Sequence, residues 1–148
     1  MQGLYAITPS GLEENDLLSK TEVLLKEGIK LIQYRDKFLD KKTFQEKARL
    51  LLNLTKKYGA KLLINDHIEI CLEISADGFH LGLEDYSSEG NAKLLKKNKE
   101  FITKNLICGL SCKWNKELVV NPPENEIKWT YLAVGSFYPS NTKSTIPE

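Results

Sequence analysis

The stretch Lys61-Leu62-Leu63-Ile64-Asn65-Asp66-His67-Ile68-Glu69-Ile70-Cys71-Leu72-Glu73-Ile74-Ser75-Ala76-Asp77-Gly78-Phe79-His80-Leu81-Gly82-Leu83-Glu84-Asp85 decides the fold. Its apolar run at 62–64 is too short for a helix and reads as a buried strand; Phe79-His80-Leu81 reads as another. Residues 68–74 between them form a short helical stretch, closed by the Asp77-Gly78 turn. The order is strand, helix, parallel strand. Each strand is followed by an aspartate, Asp66 and Asp85. Parallel neighbours aim their carboxyl ends the same way, so the two carboxylates are expected to converge on one face of a sheet. Two carboxylates and the Asn65 amide oxygen suit Mg2+, which takes few protein ligands and keeps waters and substrate phosphates. The competing role is helix capping by both aspartates, common where a strand feeds a helix.

Outward from this unit the pattern repeats. Strand-like segments start near Leu4, Lys30, Lys61, Gly78, Leu106 and Tyr131. Leu17, Leu18, Thr21, Leu24 and Leu25 make a helical stripe that Gly28 stops. Asp40 is placed to cap a helix with Phe44, Ala48, Leu51 and Leu52 on its core face, ending at Gly59. Ser87 or Ser88 caps a helix carrying Leu94, Leu95 and Phe101. After Cys112 at most two helical turns fit before Asn121-Pro122-Pro123 ends them. Strand–helix repeats of this spacing suit a doubly wound sheet or a (β/α)8 barrel. A flavodoxin-like sheet is complete with five strands, and six are counted here.

Composition narrows the class. The chain has 148 residues, 41% apolar and 28% charged, with a net charge of +1. That predicts one soluble α/β domain over 1–148, with no global pull toward nucleic acid or membrane. No apolar run approaches a membrane span, and the N-terminus lacks the pattern of a signal peptide. Cys71, Cys108 and Cys112 show no Cys-x-x-Cys spacing, which predicts reduced thiols and a cytoplasmic protein.

Three more polar clusters follow strands. In Gln33-Tyr34-Arg35-Asp36-Lys37, alternation sends Gln33, Arg35 and Lys37 to one side, where two cations and an amide suit an anionic ligand. The plainer reading is a solvated loop with an Arg35–Asp36 or Lys37–Asp40 pair. Gly109-Leu110-Ser111-Cys112 offers Ser111 as cap or ligand contact. Gly135-Ser136-Phe137-Tyr138-Pro139-Ser140-Asn141-Thr142-Lys143 is either a phosphate-cradling loop with Lys143 as counter-charge or a surface turn set by Pro139. His67 and His80 read as satisfied polar residues. Together the clusters keep one phase, the carboxyl ends of strands, where (β/α)8 enzymes place their sites.

Five segments carry a family resemblance: Gly3-Leu4-Tyr5-Ala6-Ile7-Thr8; Ile32-Gln33-Tyr34-Arg35-Asp36-Lys37; Ile64-Asn65-Asp66; residues 76–85; and residues 135–143. In order and spacing they resemble thiamine phosphate synthase, a (β/α)8 barrel enzyme. The resemblance implies transfer of a pyrimidinylmethyl group from hydroxymethylpyrimidine diphosphate to a thiazole phosphate, giving thiamine phosphate and diphosphate through a pyrimidine methyl cation. It implies Asp66 and Asp85 as ligands of Mg2+. It implies Arg35, Lys37 and Lys143 on the diphosphate, Gln33, Asn65 and Ser111 on the pyrimidine, and Ser140 and Thr142 on the thiazole phosphate. Tyr34, Asp36 and Asn141 fall within the same substrate-binding motifs.

The chain departs from the family pattern at its interrupted fifth helix and at Glu148, where two βα units of the barrel are still to come. An incomplete barrel of six βα units is therefore expected. Its first and sixth strands would be open edges, a route to a homo-oligomer. The alternatives are a non-catalytic remnant that binds Mg-diphosphate ligands and a chain whose barrel a second chain completes. The related thiazole tautomerase fits less well, since it does not need a metal diphosphate site.

Overall fold

The computed structural model describes residues 3–123 and 127–135. The chain divides into two compact units, Met1–His80 and Leu81–Glu148. Among the described residues each of the first five strands is followed by helix, and a sixth strand ends the series; the strands are parallel, as expected for an α/β chain.

In the first unit β1 (Tyr5–Ile7), β2 (Leu31–Tyr34), β3 (Lys61–Asn65) and β4 (Gly78–Leu81) follow one another, β4 closing at the unit boundary. Their register pairs Ile7 with Gln33, Gln33 with Leu63, Tyr34 with Ile64, and Asn65 with His80. The helices are α1 (Glu14–Lys26), α2 (Lys41–Lys57) and α3 (Ile68–Ile74). In α1 the stripe narrows to Leu17, Thr21 and Leu25, while Leu24 stays exposed. Asp40 caps α2 as its position suggests, accepting from the Lys42 and Thr43 N–H groups. Phe44, Ala48, Leu51 and Leu52 are all buried, and packing of this kind stabilises by about 1.5–3 kcal/mol for each large side chain. Against them lie Ile32, Leu62, Ile64 and Phe79 of the strands, also buried.

One expected boundary moves. The helix over 68–74 is closed by Ser75, at φ 55°, rather than by an Asp77-Gly78 turn. The Ala76 N–H returns to the Cys71 carbonyl, and Gly78 already belongs to β4.

In the second unit a one-turn helix, α4 (Leu83–Tyr86), precedes α5 (Glu89–Lys97) and α6 (Lys99–Asn105). Ser88 is the cap of α5 and accepts from Asn91. Phe101 is exposed, so the core contribution of this stretch comes from Leu95 and Ile102. β5 (Ile107–Lys113) pairs with β6 (Tyr131–Val134), matching Gly109 with Tyr131 and Ser111 with Ala133. Between them α7 (Lys116–Val120) has five residues, the short fifth helix that Asn121-Pro122-Pro123 dictates. Among the described residues no helix is long and apolar enough to cross a membrane.

Candidate functional site

The strand register of the first unit sorts its polar residues. Tyr34, Ile64 and the neighbouring Phe79 share one face, and Tyr34 stacks on Phe44 of α2 with ring centroids 4.3 Å apart. That is the helix-covered face. Gln33, Asn65 and His80 alternate onto the opposite face. Gln33 is buried and donates from Nε2 to the Tyr5 hydroxyl at 2.5 Å. Asn65 is buried at the end of β3, and its Nδ2 donates to Asp66 Oδ2.

Asp66 follows at φ 63°, a left-handed conformation that aspartate tolerates better than most residues. Its N–H donates to the His80 carbonyl at 2.9 Å. Asp66 therefore does not act as the cap of α3; His67 occupies that position, without a side-chain capping bond. The donor set at this strand end is hard oxygen, carboxylate plus amide. Among the described residues no group of three or more His, Cys, Asp or Glu could hold a metal by itself. A one- or two-carboxylate site completed by phosphate oxygens and water is the arrangement Mg2+ favours, and these donors fit it.

The cationic cluster sits at the same ends of the neighbouring strands. Arg35 and Lys37 follow β2 directly, and neither side chain has an ion-pair or hydrogen-bond partner among the described residues. The Arg35–Asp36 and Lys37–Asp40 pairs of the solvated-loop reading are absent there. Asp36 is buried and accepts from the Gly11 N–H at 2.9 Å through Oδ2 and from the Phe38 N–H at 3.0 Å through Oδ1. Tyr34 stands apart from this cluster. Its hydroxyl is buried with no hydrogen-bond partner among the described residues, and burial with the nearby Asp36 charge pushes its pKa above the ordinary phenol value.

In the second unit Asp85 lies in α4 rather than directly after the strand. Its carboxylate folds back over Gly82, so a Cβ built there would meet Asp85 Oδ2 at 2.8 Å. Its backbone carbonyl accepts from the Ser88 hydroxyl and from Asn91 Nδ2, each at 2.8 Å. Ser111 is inside β5, not past its end, just before a bulge that reaches Lys113 at φ 50°. It is not a helix cap; Asn115 caps α7. Burial pushes the Cys108 thiol up to about 12 and also raises Cys112, the wrong direction for a nucleophile. Ser140, Asn141, Thr142 and Lys143 lie outside the described residues.

Two residues join the first unit's site that the sequence left aside. Tyr5 holds the Gln33 amide, and His80 is buried in register with Asn65. A polar side chain in an otherwise apolar short strand was the available signal for each.

Residues 4–148 match the family model described as thiamine monophosphate synthase. A thiamine-phosphate synthase of Nitrosospira multiformis is 38% identical over 146 residues, covering 98% of this chain and 58% of that protein. One from Janthinobacterium sp. (strain Marseille) is 37% identical over 143 residues, covering 97% of this chain and 65% of the relative. The solved structure of a thiamine phosphate pyrophosphorylase from Pyrococcus furiosus superposes with a TM-score of 0.68 at 29% identity, over 91% of this chain and 60% of that one. The chain thus spans roughly three-fifths of the length of the relatives it matches.

Proposed function

The chain belongs to the thiamine monophosphate synthase family, and from that premise we propose that it serves the family's transferase reaction, joining hydroxymethylpyrimidine diphosphate to thiazole phosphate. The observation that carries this reading is the pairing of two cations unpartnered among the described residues, Arg35 and Lys37, with Asn65-Asp66 at the carboxyl ends of adjacent parallel strands.

Arg35 and Lys37 bind the diphosphate and take up negative charge as it departs. The guanidinium offers two parallel donors to phosphate oxygens, and the ammonium offers a compact charge. Gln33, oriented by Tyr5, and Asn65 supply the amide contacts for a polar heteroaromatic ring. Ser111 is assigned to the same substrate, and Ser140, Asn141, Thr142 and Lys143 to phosphate. Asp66 and Asp85 are the residues we assign to Mg2+, an assignment that rests on the sequence motif and on the oxygen chemistry of the donors. When bound, the metal neutralises charge developing on the leaving diphosphate. The partners are two small phosphorylated molecules, and we place the protein in the cytoplasm with its three buried thiols reduced.

Purified chain mixed with Mg2+ and both substrates tests this. The expected outcome is thiamine phosphate and diphosphate in equal amounts, followed by chromatography. A verified 148-residue species that releases neither product would refute catalysis by this chain.

A further inference from the structure

The loops after β1 and β2 are fastened to each other by several hydrogen bonds. The Thr8 hydroxyl donates to the Arg35 carbonyl at 3.2 Å and accepts from the Arg35 N–H at 3.0 Å. The Lys37 N–H donates to the Ser10 hydroxyl at 3.3 Å. Buried Lys47 reaches from α2 to the Leu12 carbonyl at 2.8 Å. At the centre is Asp36, whose two oxygens each take one backbone N–H, Gly11 from the first loop and Phe38 from the second. Gly11 is at φ +80°, which a side chain would strain, and the Phe38 ring packs on its open side.

This explains an electrostatic oddity. A carboxylate between two cations in sequence ordinarily pairs with one of them and lowers the attraction for an anion. Here both Asp36 oxygens are engaged by backbone donors, and it forms no ion pair with Arg35 or Lys37 among the described residues. The backbones on either side of Asp36 are clamped at Thr8 and Ser10, so both cationic side chains leave from fixed positions. We infer that Asp36 is a positioning residue for the anion site: it locks the two loops together so that Arg35 and Lys37 are presented to a diphosphate without being neutralised, and it does not touch the ligand. The inference rests on the diphosphate reading of this cluster and assigns Asp36 a role different from substrate contact.

Charge and geometry predict opposite signs. If Asp36 were only a nearby negative charge, its removal would tighten anion binding. If it positions the cations, its removal weakens binding. Calorimetric titration of the full chain with inorganic diphosphate and Mg2+ reads this. Asp36→Asn, which leaves one backbone donor facing an amide, is expected to weaken affinity about tenfold, the scale of one hydrogen bond to a charged group. The same change in an Arg35→Ala/Lys37→Ala background is expected to add little, because the residues it acts through are gone. Amide hydrogen exchange without ligand is expected to speed up at Gly11 and Phe38. Should the Asn variant not fold, Asp36→Glu keeps the charge, displaces the carboxylate by one methylene and is expected to weaken binding severalfold. Unchanged or tighter diphosphate binding in whichever variant folds, or an equal loss in the double-alanine background, overturns the inference. Failure of the wild-type chain to bind diphosphate overturns the site reading instead, while the exchange rates at Gly11 and Phe38 still decide whether Asp36 fastens the loops.

Discussion

Tyr34 and Asp36 flank the same arginine and do different work, and the difference is set by where β2 ends: Tyr34 is its last residue, and Asp36 lies in the loop beyond. Tyr34 turns to the helix side, where its ring stacks on Phe44 and its hydroxyl is buried without a partner among the described residues. A buried hydroxyl without a hydrogen bond costs free energy, so deleting it is favourable or neutral. Tyr34→Phe is expected to raise stability by up to about 1 kcal/mol in chemical denaturation and to leave diphosphate affinity unchanged. A loss of affinity would place the hydroxyl on the ligand. None of this was legible from Gln33-Tyr34-Arg35-Asp36-Lys37 alone. Charge order suggested local pairs, whereas the partners of Asp36 are backbone groups, one of them 25 residues away. The Gln33–Tyr5 bond is equally non-local, spanning 28 residues. Polar residue types announce a site; their partners depend on register.

Elements were more legible, because their signals are local. Short apolar runs located every strand, and Asp40 followed by an amphipathic stripe located α2 and its cap. Two features escaped. One turn of helix at α4 is too short to show a period, so Asp85 read as a residue just past the strand or as a helix cap. A serine gives no sequence cue for the left-handed conformation that closes α3. Contact between α2 and α3 carries a testable charge term. Glu69 accepts an ion pair from Lys41 at 3.3 Å and lies 3.7 Å from His67 Nδ1. The His67 ring first, then the helix backbone and Lys41, hold its carboxyl down to about 2. A depressed carboxylate stabilises the fold above its unfolded pKa, and that stability is lost as pH falls toward the folded value. Acid unfolding is therefore expected to show a loss between about pH 4.5 and 2 that Glu69→Gln removes. Because Glu69 is partly exposed, the difference should shrink in high salt. Identical acid profiles for the two proteins would contradict the assignment.

For the whole chain, family membership was readable from five ordered segments, and the family match covers residues 4–148. The candidate residues fall in both units: Gln33, Arg35, Lys37, Asn65 and Asp66 in the first, Asp85 and Ser111 in the second. The central claim is that Asp66 and the two cations serve one Mg2+-dependent diphosphate site; Asp85 is tested beside them as the second carboxylate of the motif. The most direct measurement is the affinity of the chain for inorganic diphosphate with and without Mg2+, for wild type, Asp66→Asn and Asp85→Asn. Mg2+ is expected to tighten binding to the wild type at least about tenfold, and each variant to lose that gain with its Mg2+-free binding no weaker than that of the wild type. Diphosphate binding that ignores Mg2+, or Asn variants that respond to the metal as the wild type does, would contradict the account.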